Sequence, residues 1–230
     1  MRILGLQKLT LLDFPGRVAC TIFTGGCNFR CPFCHNALLV LPDITPDALD
    51  SDEVITFLKK RVGLLDGVCV TGGEPTIQPD IAEFLSVLKG LGYAVKLDTN
   101  GSFPDRLREL IRDGLVDYVA MDIKSSPSGY AAAVGADSFD ISPILESASF
   151  LMSGSVPFEF RTTVVRELHK RSDFEEIGRW LAGSEPYYLQ AFVDSGELIR
   201  SGLSAYEKEE MIELAEAVRP YIPSVSLRGI

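Results

Sequence analysis

Six short apolar runs recur along the chain, and segments with the spacing of amphipathic helices lie between them. The runs cover 18–23, 67–71, 94–98, 118–123, 158–165 and 187–192. They are rich in Val, Ile, Phe and Tyr, the composition of strands buried on both faces. A buried strand, a helix and a second buried strand form a βαβ unit, whose crossover is right-handed and whose sheet is parallel. Eight such units close a barrel; six leave it open at one side. The expected class is therefore α/β, a partial (β/α)6 TIM-like barrel. An open doubly wound sheet is the alternative.

The helices carry readable ends. One begins at Ser51, with Asp52 and Glu53 in its first turn, Lys59, Lys60 and Arg61 in its last, and Gly63 beyond; that charge order suits the helix dipole. The next places Pro79 at its first position and buries Ile81, Phe84, Leu85 and Leu88 before Gly90. Pro104 opens a third, which buries Leu107, Leu110 and Ile111. Ser142 and Pro143 open a fourth, with Ile144, Leu145, Ala148 and Leu151 inward. Ser172 and Glu175 have the spacing of a capping box for a fifth, and a last helix is expected from about Ser204 to Val218. The stretch 125–138, rich in Ser, Gly and Ala, is the expected mobile loop. Trp180 falls on a helix and is read as core.

With 230 residues, 46% of them apolar, the chain can bury one sizeable core, and a single domain over 1–230 is expected. A formal charge of −10 argues against non-specific nucleic-acid binding. No apolar run reaches the length of a membrane span. Gln7, Lys8 and Asp13 interrupt the N-terminal stretch, which does not read as a signal peptide. The expectation is a soluble cytoplasmic protein with no membrane partner.

Five cysteines are an odd number, and three crowd into GGCNFRCPFCHNA directly after the first run. That crowding favours a metal or redox site over a secreted disulfide framework. Cys27, Cys31 and Cys34 read C-x₃-C-x₂-C. A structural zinc site wants four protein ligands, and only His35 and His169 could add to the three. A redox pair of Cys31 and Cys34 leaves Cys27 without a task. An iron–sulfur cube held by three thiolates keeps one iron open for a small chelating ligand. The cluster ranks first, zinc second, and redox or inert thiols last. Cys20 and Cys69 lie inside strands and read as small core residues.

Chemistry in parallel α/β folds gathers where strands end. The second run ends in Thr71-Gly72-Gly73-Glu74-Pro75, and its glycines let backbone approach a ligand closely. The third ends in Leu97-Asp98-Thr99-Asn100-Gly101 and the fourth in Met121-Asp122-Ile123-Lys124. Charges at such positions must be paired, so a structural ion-pair network is one reading of Asp98, Asp122 and Lys124. Arg161, inside the fifth run, should meet an anion or a barrel-interior carboxylate.

The three-cysteine motif, with Phe33 before its last member, resembles the radical S-adenosylmethionine (SAM) superfamily, and GGEP at 72–75 matches that family's second motif letter for letter. The resemblance implies a partial barrel of the radical SAM type, a [4Fe-4S] cluster on Cys27, Cys31 and Cys34, and SAM chelated to the open iron. It places Gly72, Gly73, Glu74 and Pro75 along the SAM methionine, with Glu74 near the amino group. LDTNG and MDIK resemble the glycyl-radical-enzyme activases. There two aspartates help hold a monovalent cation beside SAM, and a lysine approaches the SAM carboxylate. Those roles fall on Asp98, Asp122 and Lys124, and Asn100 belongs to the same set. Arg161 is assigned to the SAM carboxylate and Asn36 to SAM, while His35 is given a supporting role rather than metal ligation. Val193 stands where some activases carry a SAM-contacting histidine, a departure.

The stretch LTLLDFPGRVACTIFTGGCNFRCPFCHN, Leu9 to Asn36, resembles activating proteins of anaerobic ribonucleoside-triphosphate reductase in their longer form, and that resemblance runs from Gln7 through the last strand. This implies an electron donor such as flavodoxin or ferredoxin. It also implies a glycyl radical enzyme as partner, from which a 5′-deoxyadenosyl radical takes a glycine hydrogen. An activase of the pyruvate formate-lyase type and a small-molecule enzyme such as 7-carboxy-7-deazaguanine synthase are the alternatives.

Overall fold

A computed structural model describes residues 1–41 and 46–230. Its eight strands form one sheet in chain order. β1 (Ile3–Thr10) runs antiparallel to β2 (Ala19–Thr24). From there β3 (Gly67–Gly72), β4 (Ala94–Thr99), β5 (Tyr118–Asp122), β6 (Phe158–Val164), β7 (Tyr187–Ala191) and β8 (Ser226–Arg228) pair in parallel. The six expected strands are all present, each within one residue of its expected ends. Among the described residues β1 and β8 do not pair, so the curved sheet stays open between them.

β1 and β8 are additions. β1 exposes Gln7, Lys8 and Leu9 and takes no part in a βαβ unit, so it lacks the buried-strand signature. β8 has three residues, too few to carry a pattern.

Helices cover the outer face: α1 (Ala37–Val40), α2 (Ser51–Lys59), α3 (Ile81–Gly90), α4 (Pro104–Arg112), α5 (Tyr130–Val134), α6 (Ser142–Met152), α7 (Arg171–Trp180) and α8 (Lys208–Val218). They bury the outward residues of the strands. Val68, Val70, Val95, Leu97 and Val119 are fully buried beneath Ile81, Leu85, Leu88 and Leu107 and their neighbours. Each such aliphatic side chain contributes about 1.5–3 kcal/mol by leaving water.

Four local expectations need correction. α3 begins at Ile81, two residues after Pro79. The cap of α7 is not the Ser172–Glu175 pair: the helix starts at Arg171, and the Asp173 carboxylate accepts from the Lys170 N–H at 2.7 Å. α8 starts at Lys208 because Ser204 is drawn out of the helix, its N–H donating to Glu167 at 2.9 Å and its carbonyl accepting from Arg166 N–H. The stretch 125–138 is anchored rather than loose. Ser126 Oγ donates to Asp173 at 2.6 Å, Ser128 donates to Glu176, and Tyr130 is buried and stacked on Phe139. Trp180 is half-buried and packs against the core.

Strand residues alternate between the two faces. While Val95 and Leu97 face the helices, Lys96 and Asp98 face the interior; likewise Asp122 on β5 and Glu159 and Arg161 on β6. The sheet thus has an apolar outer layer and a charged inner one.

Candidate active site

At the carboxyl ends of the strands lies a cavity of about 230 Å³. Twelve of the fourteen expected site residues line it: Cys27, Cys31, Phe33, Cys34 and Asn36 from the cysteine loop; Gly72 and Gly73 after β3; Asp98 and Asn100 at β4; Asp122, Lys124 and Arg161 at β5 and β6.

The cysteine loop is held by backbone contacts. Gly26 N–H donates to Leu39 O at 2.7 Å, Glu74 N–H to Gly26 O at 2.8 Å, Arg30 N–H to Val134 O at 3.0 Å, and Arg200 N–H to Pro32 O at 3.0 Å. The approach at Gly73 tolerates no side chain, since a Cβ there would stand 1.8 Å from Gly26 O. Gly72 has φ +114, and its Cβ would lie 2.4 Å from Thr24 N. The two glycines are therefore required by contact and conformation together. Asn36 reaches across the same seam, donating its side-chain N–H to Gly72 O at 3.3 Å.

None of the three thiols is in a disulfide, and they share one cavity. Burial pushes Cys27 up to about 11 and Cys31 up to about 12, and raises Cys34 as well, while the nearby Lys124 ammonium pulls each the other way. The thiols are neutral until a metal displaces their protons. Phe29 N–H points at Cys27 Sγ at 3.4 Å, and Asn100 Nδ2 lies 3.9 Å from the same sulfur, the kind of donors that tune a cluster. Among the described residues no three His, Cys, Asp or Glu side chains are drawn together closely enough to share a single ion. Cys20 and Cys69 are buried in β2 and β3 and add no fourth thiolate to the loop. Three thiols on a cavity wall, opposite a charged wall, fit a [4Fe-4S] cluster that leaves one iron to a small chelating ligand.

The facing wall is an ion-pair chain. Arg161 donates through Nε to Asp122 Oδ1 at 2.9 Å and through Nη1 to Asp98 Oδ2 at 3.1 Å. Lys124 Nζ donates to Asp122 Oδ2 at 3.1 Å, and Lys96 Nζ donates to Asp98 Oδ1. Burial alone would raise the Asp122 carboxyl, but Arg161 and Lys124 outweigh it and bring it down to about 2. Burial alone would lower Lys124, but Asp122 outweighs it and holds the ammonium charged.

The structure turns Glu74 and Pro75 away from the cavity. Glu74 is wholly buried. Its Oε1 accepts from Thr76 N–H at 3.0 Å, from Thr76 Oγ1, and from Thr99 Oγ1 at 2.8 Å, and its Oε2 accepts from Asn100 N–H at 2.7 Å. Pro75 opens a 3₁₀ turn, Pro75–Ile77, below it. Gly72 and Gly73 line the cavity, while the Glu74 carboxylate ties the end of β3 to the end of β4.

Phe29, Thr71, Thr163 and Gln190 also line the cavity without having been singled out. Strand alternation was the available signal for Thr163, two residues beyond Arg161. His35 faces the cavity with its ring 5.5 Å from Phe192. His169 is fully buried; its Nδ1 accepts from Val165 N–H at 3.0 Å, so Nε2 carries the proton donated to Lys124 O at 2.8 Å. It fixes the backbone beneath Lys124, and no sequence motif announces it.

The sequence pattern of the radical SAM superfamily matches residues 21–178. A provisionally named glycyl-radical enzyme activating enzyme of Methanocaldococcus jannaschii is 32% identical over 98% of this chain and 95% of its own length. The pyruvate formate-lyase-activating enzyme of Clostridium pasteurianum is 30% identical over 58% of this chain and 57% of its own. The crystal structure of Streptococcus suis SuiB bound to S-adenosylmethionine superposes on 90% of this chain and 49% of that one, with a TM-score of 0.69 and 15% identity, a likeness of fold. The family match takes in the cysteine loop and the strand ends that carry Gly72, Asp98, Asp122 and Arg161, and the chain therefore belongs to the radical SAM superfamily, enzymes that work with a [4Fe-4S] cluster and S-adenosylmethionine.

Proposed function

We propose that this chain installs a glycyl radical on a partner enzyme, anaerobic ribonucleoside-triphosphate reductase, by directing a 5′-deoxyadenosyl radical at one glycine. The observation that carries the reading is the placement of three free thiols opposite Lys124 and Arg161 in a cavity that opens at the strand ends. A near-full-length relative named for the activation of glycyl radical enzymes supports the partner class.

Cys27, Cys31 and Cys34 would hold the cluster, which when bound would supply the electron for dividing SAM into methionine and the radical. The chain's own residues bind and orient. Gly72 and Gly73 let backbone approach the methionine part of SAM closely. Arg161 and Lys124 offer guanidinium and ammonium donors to its carboxylate, with Asp98 and Asp122 holding both side chains in place. Phe29 and Phe33 close the cluster side against water. The unpaired gap between β1 and β8 leaves the sheet open to a glycine loop from another protein. We assign the electron supply to flavodoxin or ferredoxin and the location to the cytoplasm; among the described residues no helix is long and apolar enough to cross a membrane.

The test is anaerobic reconstitution with iron and sulfide, reduction, and assay of SAM conversion to 5′-deoxyadenosine, with the reductase added in a parallel sample. A glycyl radical seen by electron paramagnetic resonance is the expected outcome. Deoxyadenosine without a glycyl radical would remove the reductase as partner. Transfer of the radical to a pyruvate formate-lyase instead would favour the second reading, which the Clostridium relative supports.

A further inference from the structure

Every carboxylate oxygen of the two aspartates that resemblance assigns to a monovalent cation is already engaged by a cationic side chain. A hard cation is bound by several oxygens that face it. Here both oxygens of Asp98 and both of Asp122 already accept from Lys96, Arg161 and Lys124. Lys96 is the informative member. It stands two residues before Asp98 on β4, so both side chains project to the barrel interior. Its side chain is 1% exposed, which denies its ammonium hydration. Its described partners are Asp98 and the Cys69 sulfur at 3.8 Å. Burial keeps the Cys69 thiol neutral, so Asp98 is the counter-charge. A buried ammonium persists only when so paired. Asp98 itself lines the cavity, with Lys96 directly behind it.

We propose that the Lys96 ammonium takes the place of the monovalent cation, so that binding and cleavage of SAM by this chain require no added metal cation beyond the cluster. Lys96 acts as a positioning residue: it holds Asp98, and Asp98 holds Arg161 at 3.1 Å. The proposal rests on SAM occupying this cavity and not on the identity of the partner. Both readouts below are therefore taken without any partner protein.

The cluster-loaded chain is titrated with SAM by calorimetry, and deoxyadenosine release is measured in parallel. The salts are tetramethylammonium, lithium, sodium and potassium chloride at one ionic strength. The expected result for the unaltered chain is an affinity and rate that agree across the four salts to within about twofold. A rise of about tenfold in sodium or potassium over tetramethylammonium would overturn the proposal. Lys96→Met is expected to bind SAM about tenfold more weakly in tetramethylammonium and to recover with sodium, potassium or ammonium. A folded, cluster-loaded Lys96→Met that binds SAM as the unaltered chain does in every salt would reduce Lys96 to a structural ion pair and refute the idea. Should that variant not fold, Lys96→Gln serves for the rescue, and the salt series on the unaltered chain stands by itself.

Discussion

Replacement of Glu74 by glutamine separates the placement seen in the structure from the one implied by resemblance. The two Glu74 oxygens serve different backbone donors, Oε1 the Thr76 N–H at 3.0 Å and Oε2 the Asn100 N–H at 2.7 Å. Neither backbone group can turn away. A glutamine amide has one oxygen, so one of the two N–H groups must face an NH₂ in a site without water access. The hydroxyls of Thr76 and Thr99 can reorient and absorb part of the change. One unsatisfied buried donor costs about 1–3 kcal/mol, and a central value of about 2 kcal/mol is expected for Glu74→Gln. For a chain of this length that lowers the thermal midpoint by about 4–8 °C. Calorimetric melting of the cluster-loaded protein measures it, and SAM titration of the same samples measures the other half. SAM affinity should change by no more than about threefold, because the carboxylate does not line the cavity. An unchanged melting temperature together with a SAM affinity weaker by about tenfold or more would show that the carboxylate serves the SAM ammonium, and would refute this reasoning.

Gly73→Ala should displace the cysteine loop, because its Cβ would stand 1.8 Å from Gly26 O; iron and sulfide content after reconstitution should fall well below that of the unaltered chain, and full retention would contradict the contact. Replacing Cys27, Cys31 and Cys34 together by Ala should abolish both the cluster's visible absorbance and deoxyadenosine formation, and turnover by that variant would defeat the cofactor assignment. His169 yields a pH signature. Burial lowers its pKa, and its Nδ1 must stay unprotonated to accept from Val165. Its contribution to stability is therefore complete above an unfolded value of about 6.5 and is lost as pH falls below it. Urea midpoints should decline more steeply between about pH 7 and 5 in the unaltered chain than in His169→Asn, and parallel profiles would show that His169 is not held neutral.

Much of the molecule was legible before folding because its determinants are local. A β-branched or aromatic run of five to eight residues marks a strand wherever it lies, and the six interior strands fell within one residue of their expected ends. Cys27, Cys31 and Cys34 are separated by a few residues, so their shared loop follows from chain connectivity. Asp98, Asp122 and Lys124 were placed together because parallel strands put their carboxyl ends on one side, and Arg161, inside its run, was expected to meet an anion or an interior carboxylate.

What the tertiary structure decided are the pairings across long stretches of sequence. Glu74 meets Thr99 and Asn100 some 25 residues on, and that contact, which no local pattern encodes, turns its carboxylate away from the cavity. Ser204 leaves α8 for Glu167, and Ser126 and Ser128 pin a stretch that composition alone marks as loose to α7. β1 and β8 exist only because a neighbouring strand offers them hydrogen bonds. Alternation along β4 puts Lys96 and Asp98 on one face, but only the pairing of β4 and β6 on either side of β5 brings Arg161 to the second oxygen of Asp98. Local sequence thus determined the six interior strands and the cysteine loop. The fold determined which charged groups neutralise one another inside it, because the partner of a buried charge is set by three-dimensional proximity and not by distance along the chain.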